Sequence, residues 1–344
     1  MRRKSNETMT IAQAKKILIL SIRWTVPVLA ISFISLVTLA LSSKPKGDME
    51  YGITFSHKYA KELDLDWKEA YLNILNELKV TNIRLVAYWD DIEKEKGVYD
   101  FSNMDFLLKE AEKRQVNVIL ALGRKLPRWP ECSEPTWAKK EGEDFIKTRL
   151  LILIPKEIEH FKKYQSIKYW QVENEPFFPF GNCPAMMSQD FVKKEVDIVK
   201  SMDARPVIVS DSGEGGAWIF SYSISDYLAI SIYRKVWLSF WGYFNWPFPA
   251  KSYKVKAALL NIPLEKILNT ELQAEPWSNT SILKTPESEL QKTMTHQDFI
   301  EIIEYAKKTG ITKTYLWGAE WWYYKKQNGD AFYWETAKKL FNNL

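Results

Sequence analysis

Short apolar runs alternate with amphipathic stretches from residue 51 to the end of the chain. The apolar runs have the length and composition of buried strands, and the stretches between them have the spacing of surface helices. Short apolar strands covered by helices indicate a parallel sheet. The predicted strands are Tyr51–Phe55, Asn82–Tyr88, Asn117–Leu122, Ile167–Val172, Pro206–Ser210, Leu228–Ile232, Lys266–Asn269 and Lys313–Trp317.

The intervening stretches predict helices, with a short and weaker one within Glu214–Ser223 after the fifth strand. Eight strand–helix units between residues 49 and 344 fit an α/β fold of the (β/α)₈ barrel type. A doubly wound open sheet is the alternative, but no glycine-rich fingerprint follows the first strand. The other predicted helices are Trp67–Leu78, Met104–Arg114, Asp144–Lys163, Phe191–Met202, Lys251–Leu260, His296–Thr309 and Ala331–Phe341.

The segment before the first strand has a different character. Trp24 to Leu41 is a run of 18 residues without a charge, which is long enough to span a bilayer. Basic residues before it place the amino terminus in the cytoplasm. A cleaved signal peptide is the main alternative, because Ala40-Leu41-Ser42 resembles a cleavage site, although such apolar regions are usually shorter, about 7–15 residues. A buried helix of a soluble protein would show the same run.

We therefore expect a cytoplasmic basic segment over residues 1–23, a transmembrane signal anchor over 24–43, a linker over 44–48 and the barrel over 49–344. In this arrangement the protein is a single-pass protein of the cell membrane, and its barrel lies outside the cytoplasm.

The charge of the chain is concentrated in this first segment. Residues 1–23 contain six Lys or Arg and one Glu, which accounts for the whole net charge of +5. The barrel is therefore neutral and lacks the basic surface that nucleic-acid binding requires.

Cysteine and histidine are scarce. The three histidines are scattered, and no HExxH or CxxC pattern is present, so we expect no metal site and no cofactor. Cys132 and Cys183 fall in the predicted loops after the third and fourth strands. Neighbouring loops of an exported domain can be cross-linked, and a disulfide and two free thiols both remain open.

The fourth predicted strand ends in Asn174-Glu175-Pro176. Proline has no N–H for a strand ladder, so the strand must stop here, with Asn174 and Glu175 at its carboxyl end. That end of a barrel carries the active site. A carboxyl group beside an amide suits general acid–base chemistry. The plain alternative is a turn with solvated acids.

A second carboxyl group, Glu271, follows the seventh strand, three strands on from the fourth, so that the two strand ends can face each other across the mouth of an eight-stranded barrel. Hydrolysis of a glycosidic bond requires two carboxyl groups that flank it. Glu173, Glu275 and Glu320 are competing acids near the same strand ends, and each can instead pair with Lys or Arg at the rim.

Aromatic residues make up 14% of the chain, and 15 of them are Trp. Indole rings stack on the apolar faces of sugar rings, so this abundance favours a carbohydrate ligand, although core and rim packing explains part of it. The candidate sugar-binding tryptophans near strand ends are Trp89, Trp129, Trp277 and Trp317.

Together these motifs resemble clan A of the glycoside hydrolases. Asn174-Glu175 resembles the clan's acid/base motif on strand 4, and Thr270-Glu271 matches its nucleophile on strand 7. The segment Trp89–Glu93 with Gly97–Ser102 is similar to the region after strand 2 in bacterial β-galactosidases and in xylanase- and xylosidase-type enzymes. The motifs do not assign one family within the clan.

The resemblance implies a retaining hydrolase of β-glycosides in oligo- or polysaccharides, with Glu271 as nucleophile and Glu175 as acid/base. Arg84 and Tyr233 match the clan residues that contact the nucleophile, and Trp317 matches the floor of the sugar site. For His57, contact with a sugar hydroxyl and capping of the first helix are both open. A transglycosylase and a non-catalytic carbohydrate-binding protein are the alternative functions. The sugar, its linkage, exo or endo action and the oligomeric state are not determined by the sequence.

Overall fold

The computed structural model describes residues 11–42, 47–183 and 187–342. Parts of the predicted basic segment and of the linker lie outside these residues. Eight parallel strands close into a barrel in the order β1-β10-β9-β6-β5-β4-β3-β2, which confirms the predicted (β/α)₈ architecture. The barrel strands are β1 Glu50–Thr54, β2 Asn82–Val86, β3 Asn117–Leu122, β4 Ile167–Val172, β5 Val207–Ser212, β6 Tyr227–Ile232, β9 Ile267–Gln273 and β10 Lys313–Trp317.

Two of the strands extend further than the sequence predicts. β5 continues to Ser212, and β9 continues to Gln273, so that Glu271 lies inside its strand rather than after it. The long stretch after β6, expected to be a loop, contains an antiparallel hairpin formed by β7 Lys235–Leu238 and β8 Gly242–Asn245.

The helices of the barrel lie close to their predicted positions, and several short helices precede or follow them. The helices are α1 Ile11–Ser42, α2 His57–Glu62, α3 Trp67–Asn73, α4 Trp89–Ile92, α5 Ser102–Lys113, α6 Thr136–Lys139, α7 Glu143–Phe161, α8 Gln189–Met202, α9 Ile219–Ile224, α10 Ser252–Leu259, α11 Glu287–Leu290, α12 His296–Thr309, α13 Ala319–Gln327 and α14 Phe332–Phe341. A π-helical turn, Ile74–Leu78, extends α3, and 3₁₀ turns lie at Leu264–Lys266 and Ile282–Lys284.

Local sequence signals explain where such a helix begins and ends. At the start of α12, Thr295 accepts a hydrogen bond from the Asp298 N–H, and the Asp298 side chain accepts one from the Thr295 N–H. Gly310 ends the helix with a φ of 83°, a conformation that costs glycine little.

Apolar side chains form two layers around the strands. The main core lies between the barrel and its helices. A smaller cluster fills the barrel interior and includes Ile119, Ile208 and Tyr315. Part of the barrel interior is therefore filled by apolar side chains, as is usual for this fold.

The amino-terminal segment is helical over α1. Within it, Thr25–Ser42 is long and apolar enough to cross a membrane, with a mean hydropathy of 2.1 over 18 residues. A signal sequence meets the same criterion.

Candidate active site

The end of β4 directs two glutamates to different places. In a regular strand Glu173 and Glu175 would share a face, but both have a positive φ, 59° and 45°, which breaks the alternation. The Glu173 carboxylate accepts hydrogen bonds from the backbone N–H groups of Arg124, at 2.8 Å, and Lys125, at 2.5 Å. Glu175 instead accepts one from the hydroxyl of Ser231 at the end of β6, at 2.5 Å. The two carboxyl groups therefore contact different parts of the barrel, Glu173 the loop after β3 and Glu175 the end of β6.

Arg84 on β2 connects the two candidate catalytic strands. Its guanidinium donates to Glu271 Oε1 at 2.7 Å and to Asn174 Oδ1 at 2.7 Å, and its Nε donates to Gln171 Oε1 at 2.8 Å. Arg84 is fully buried, so this charge needs a carboxylate partner. One side chain thus orients both Glu271 and the amide that precedes Glu175.

Tyr233 completes the environment of Glu271. Its hydroxyl donates to Glu271 Oε2 at 2.9 Å, so each carboxylate oxygen has a donor. A cation and a hydrogen bond both favour the charged form of a carboxyl group. Both oxygens of the Glu271 carboxyl group are therefore engaged, and the side chain is held in one orientation.

The environment of Glu175 instead favours the neutral form of its carboxyl group. Burial, together with the charge of Glu271, raises the pKa of Glu175 to about 8, although the Ser231 hydroxyl and Lys125 act against this. The carboxyl group is therefore protonated at neutral pH. Two facing carboxyl groups with opposed protonation states are the arrangement that acid-assisted displacement uses.

Asn174 is fixed by its amide oxygen, which accepts from Arg84 and from the Ser210 hydroxyl at 3.1 Å. Its amide nitrogen faces Glu131 Oε1 at 3.5 Å. This leaves the nitrogen as the donor available to a ligand beside Glu175.

The sequence did not reveal several residues of this site. Ser231 lies two positions before Tyr233 on β6, so strand alternation was the available signal. Glu131 and Arg128 lie in the loop after β3, where no periodicity gives the direction of a side chain. Lys125 is buried there too and donates to the carbonyl oxygens of Glu175 and Phe178, both at 2.8 Å.

A disulfide joins Cys132 and Cys183, with a Cα–Cα distance of 5.4 Å. It settles the question that the sequence left open. The bond links the loop that carries Glu131 to the loop that follows Glu175, so both sides of the acid/base candidate belong to one cross-linked unit.

Two expected ligand contacts are not brought to the mouth. Trp89 is fully buried, donates to Glu93 at 2.8 Å and packs edge-on against Trp137. His57 is buried, and its Nε2 lies 3.0 Å from Asp91 Oδ2. Both side chains are engaged in internal contacts, so their positions explain packing rather than sugar binding.

The other expected tryptophans do lie at the rim, in different settings. Trp129 is 60% exposed. Trp277 is half-buried and contacts Tyr233 edge-on, with ring centroids 5.0 Å apart. Trp317 is buried, and the Arg128 guanidinium lies 3.9 Å from its ring centroid. Trp129 and Trp277 therefore present surface to a ligand more readily than Trp317 does.

The competing acids have partners outside the catalytic pair. Glu173 faces away from the mouth, as described above. Glu275 and Glu320 both form ion pairs with Arg128. This is the rim pairing that was weighed against a catalytic role for each of them.

The architecture is a closed (β/α)₈ barrel with two buried carboxyl groups at its mouth. No protein-family model matches the chain, and no curated protein sequence matches it. Solved structures do match it in fold. One is a family 5, subfamily 18 glycoside hydrolase from Bifidobacterium longum subsp. longum in complex with Manβ1-4GlcNAc. It shows 11% identity and a TM-score of 0.56, and the match covers 78% of this chain and 68% of that one.

Two further matches belong to other families. A psychrophilic family 10 endo-β-1,4-xylanase has 10% identity and a TM-score of 0.51, covering 78% of this chain and 85% of that one. An exo-β-1,4-mannosidase from Opitutaceae bacterium strain TAV5 has 15% identity and a TM-score of 0.55, covering 80% of this chain and 54% of that one. These matches show that the chain shares the barrel fold of several glycoside hydrolases, and no family is assigned to it.

Proposed function

We propose that the chain is a retaining β-glycoside hydrolase that cleaves O-glycosidic bonds of oligo- or polysaccharides. The observation that carries the proposal is the opposed state of the two carboxyl groups. Glu271 is paired with Arg84 and Tyr233, while Glu175 is buried beside it with a raised pKa. The fold shared with several glycoside hydrolases supports the same conclusion.

In the first step, a Glu271 oxygen attacks the anomeric carbon. The bond from that carbon to the leaving oxygen breaks, and Glu175 gives its proton to this oxygen. The products are a glycosyl ester on Glu271 and a free alcohol. In the second step, Glu175, now a carboxylate, takes a proton from water as the water attacks the same carbon. The ester bond breaks and restores Glu271.

In this scheme Arg84 and Asn174 orient the nucleophile and the sugar. Arg84 fixes Glu271 for in-line attack, and its second bond holds Asn174 so that the amide nitrogen points to the sugar. A donor beside the anomeric carbon can bind the neighbouring 2-hydroxyl group, a contact that strengthens in the transition state.

We also propose that the barrel is exported and held at the membrane by the apolar segment Thr25–Ser42. Its length, its apolar composition and the basic residues before it support an uncleaved anchor. Membrane fractionation of the expressed chain with amino-terminal sequencing tests this, since a mature chain that begins after residue 40 would instead identify a cleaved signal.

The catalytic proposal is tested with Glu175→Gln and Glu271→Gln on a panel of aryl β-glycosides. Each amide keeps the shape of the side chain but cannot transfer a proton or form the ester, so hydrolysis should fall by at least about a hundredfold. Proton NMR of the first product should show the β anomer. Unchanged rates in both variants, or binding of oligosaccharides by the wild type without any product, would overturn the proposal.

A further inference from the structure

The backbone of Arg128 lies on one side of the barrel mouth, and its guanidinium lies on the other. It belongs to the loop after β3, yet its guanidinium lies between the rings of Tyr59 and Trp317, 3.7 and 3.9 Å from their centroids. Tyr59 follows β1, and Trp317 ends β10. Only 8% of Arg128 is exposed.

Two carboxylates hold Arg128 in this position. One is Glu275, after β9, and the other is Glu320, on α13 after β10, with Nη2 and Oε2 3.2 Å apart. Glu320 is itself fixed by the Ser56 N–H, at 2.5 Å. We call Arg128, Tyr59, Glu275, Glu320 and Trp317 the Arg128 wall. It ties together the loops after β1, β3, β9 and β10.

The strand order shows what the wall divides. β3 and β9 lie opposite each other, so a connection between their loops separates the side of β10, β1 and β2 from the side of β4, β5 and β6. Every wall residue other than Arg128 comes from β1, β9 or β10, and therefore the wall fills the first side.

A second contact crosses the mouth beside the wall. Phe180, from the loop after β4, packs against Trp277, from the loop after β9, with ring centroids 5.5 Å apart. Trp129 extends this contact outward through Phe180, at 6.0 Å. The catalytic candidates beneath remain only slightly exposed, 6% for Glu175 and 5% for Glu271. Both carboxyl groups are therefore nearly enclosed by the protein.

We propose that the site accepts only the terminal sugar of a chain, so that the enzyme acts from chain ends, with the leaving part of the substrate on the side of β4, β5 and β6. This rests on the proposed hydrolase function. A sugar chain that continued past the reacting residue on the other side would have to displace Arg128 from two carboxylates and two aromatic rings.

The β7–β8 hairpin supplies a surface on the side of β6, where we place the leaving part of the substrate. Its first strand is anchored beside the site, because the backbone of Lys235 exchanges hydrogen bonds with the Gln273 side chain at 3.0 and 2.6 Å. Its tip exposes Phe240 and Trp241, at 89% and 69%. Exposed rings next to the leaving-group side fit the apolar faces of further sugar units.

A lipid surface is the other partner that such a tip could meet, but the topology argues against it. The apolar segment ends at Ser42, shortly before Glu50 opens β1 at the amino end of the barrel. The hairpin follows the carboxyl end of β6. The chain therefore enters the barrel at the amino end of β1, whereas the hairpin follows the carboxyl end of β6, and this favours a sugar chain as the partner of the hairpin.

Product analysis tests the proposal on the wild-type protein. Gluco-, manno-, xylo- and galacto-oligosaccharides labelled at the reducing end should lose one sugar at a time, and the matching polysaccharide should keep its viscosity while monosaccharide accumulates. Early loss of viscosity, with products of mixed length, would overturn the proposal.

Two variants make the test specific. Arg128→Gln combined with Glu275→Gln and Glu320→Gln opens the wall without leaving a partner carboxylate unpaired, and it should gain cleavage inside chains. Phe240→Ala with Trp241→Ala should lower kcat/KM for long oligosaccharides by about three- to tenfold and leave aryl monosaccharides unchanged. Equal losses on both substrates would contradict the leaving-group role of the hairpin.

Binding measurements on an inactive variant test this proposal independently of the catalytic one. Calorimetry on Glu175→Gln should detect oligosaccharides with a free non-reducing end and not the same chains capped at that end. If no substrate is hydrolysed, the catalytic proposal fails while this comparison still decides the shape of the pocket. Equal affinity for capped and free chains would overturn the proposal that the site accepts only a terminal sugar.

Discussion

Two groups of buried glutamates lie on either side of β4 and behave differently. Glu175 and Glu271 face the barrel mouth. Behind the strand, between the barrel and its helices, lies what we call the outer acid cluster, formed by Glu157 on α7, Glu173 and Glu195 on α8. Glu157 and Glu195 are both fully buried. Among the described residues, neither carboxyl oxygen of Glu157 has a hydrogen-bond partner.

The difference lies in the supply of donors. In the mouth, Arg84 and Tyr233 stabilise one anion, and its charge helps to keep the second group neutral. In the outer acid cluster, burial raises the pKa of Glu157 and Glu195 well above the usual range, and the charge of Glu173 adds to this. Burial alone therefore produces neutral acids. A charged and reactive one requires a cation placed beside it.

The largest difference between the two groups is expected when two glutamates at the end of the same strand are replaced in turn. Glu175→Gln removes the proton donor and should lower kcat/KM by roughly 10²–10⁴. Glu173→Gln keeps a carbonyl oxygen for one of the two backbone N–H groups of the β3 loop, and it should change the rate by only a few-fold. Steady-state kinetics on an aryl glycoside measure both. A larger loss in the second variant would reverse the assignment.

The mouth loops, unlike the outer acid cluster, depend on a cross-link. Cys132 and Cys183 are 51 residues apart, and loss of a link across such a loop costs about 4 kcal/mol in the chain-entropy view. Replacing both with Ser should lower the melting temperature and the activity together. The Glu173→Gln protein serves as the comparison, since reductant should affect it as it affects the wild type. Unchanged melting of the double variant would show that the link carries no stability.

A single hydrogen bond in the mouth should have a smaller effect. Tyr233→Phe removes one donor from the Glu271 anion, and a hydrogen bond to a charged group is worth about 1.5–3 kcal/mol. We expect kcat to fall by roughly 10–100-fold with little change in the melting temperature. An effect on KM alone would mean that the hydroxyl binds substrate rather than orienting the nucleophile.

The two groups should also affect different pH-dependent properties, the mouth group activity and the outer acid cluster stability. Activity requires protonated Glu175, so it should decline as the pH rises through about 8. The pKa of Glu173 is raised to about 7 by burial, above the value of about 4.3 in an unfolded chain. The folded state then binds more protons than the unfolded chain at this site, so the contribution of Glu173 to stability is fully present below about pH 4.3 and is lost as the pH rises through about 7.

The smallest effect is expected for a variant that tests which acids make the stability depend on pH. Glu157→Gln removes an acid that the fold keeps neutral, so the melting temperature should lose part of its dependence on pH and rise slightly in alkaline buffer. The kinetics should not change. A melting curve with the original dependence on pH would place the titrating groups elsewhere.

The sequence predicts the barrel because eight buried strands leave a periodic signal that does not depend on distant contacts. It also predicts Glu175 and Glu271, because strand ends of a closed barrel converge on one face. The pairing of Arg84 with Glu271 follows from the cost of burying a charge.

The remainder depends on loop paths. Nothing local indicates that Arg128 crosses the mouth, that Glu131 faces Asn174, or that Trp89 turns into the core. Each of these positions is determined by partners distant in sequence, such as Glu275 for Arg128. The hairpin after β6 was likewise missed, since its aromatic residues do not alternate cleanly with polar ones.

The most direct test of the account is to trap the covalent intermediate. The Glu175→Gln protein lacks the base for the second step, so a dinitrophenyl β-glycoside, whose leaving group needs no proton, should glycosylate it and stop. Mass spectrometry of the digested protein should then find one sugar on the peptide that contains Glu271. A burst of dinitrophenol with no adduct, or a sugar on another carboxylate, would contradict the assignment of Glu271 as the nucleophile.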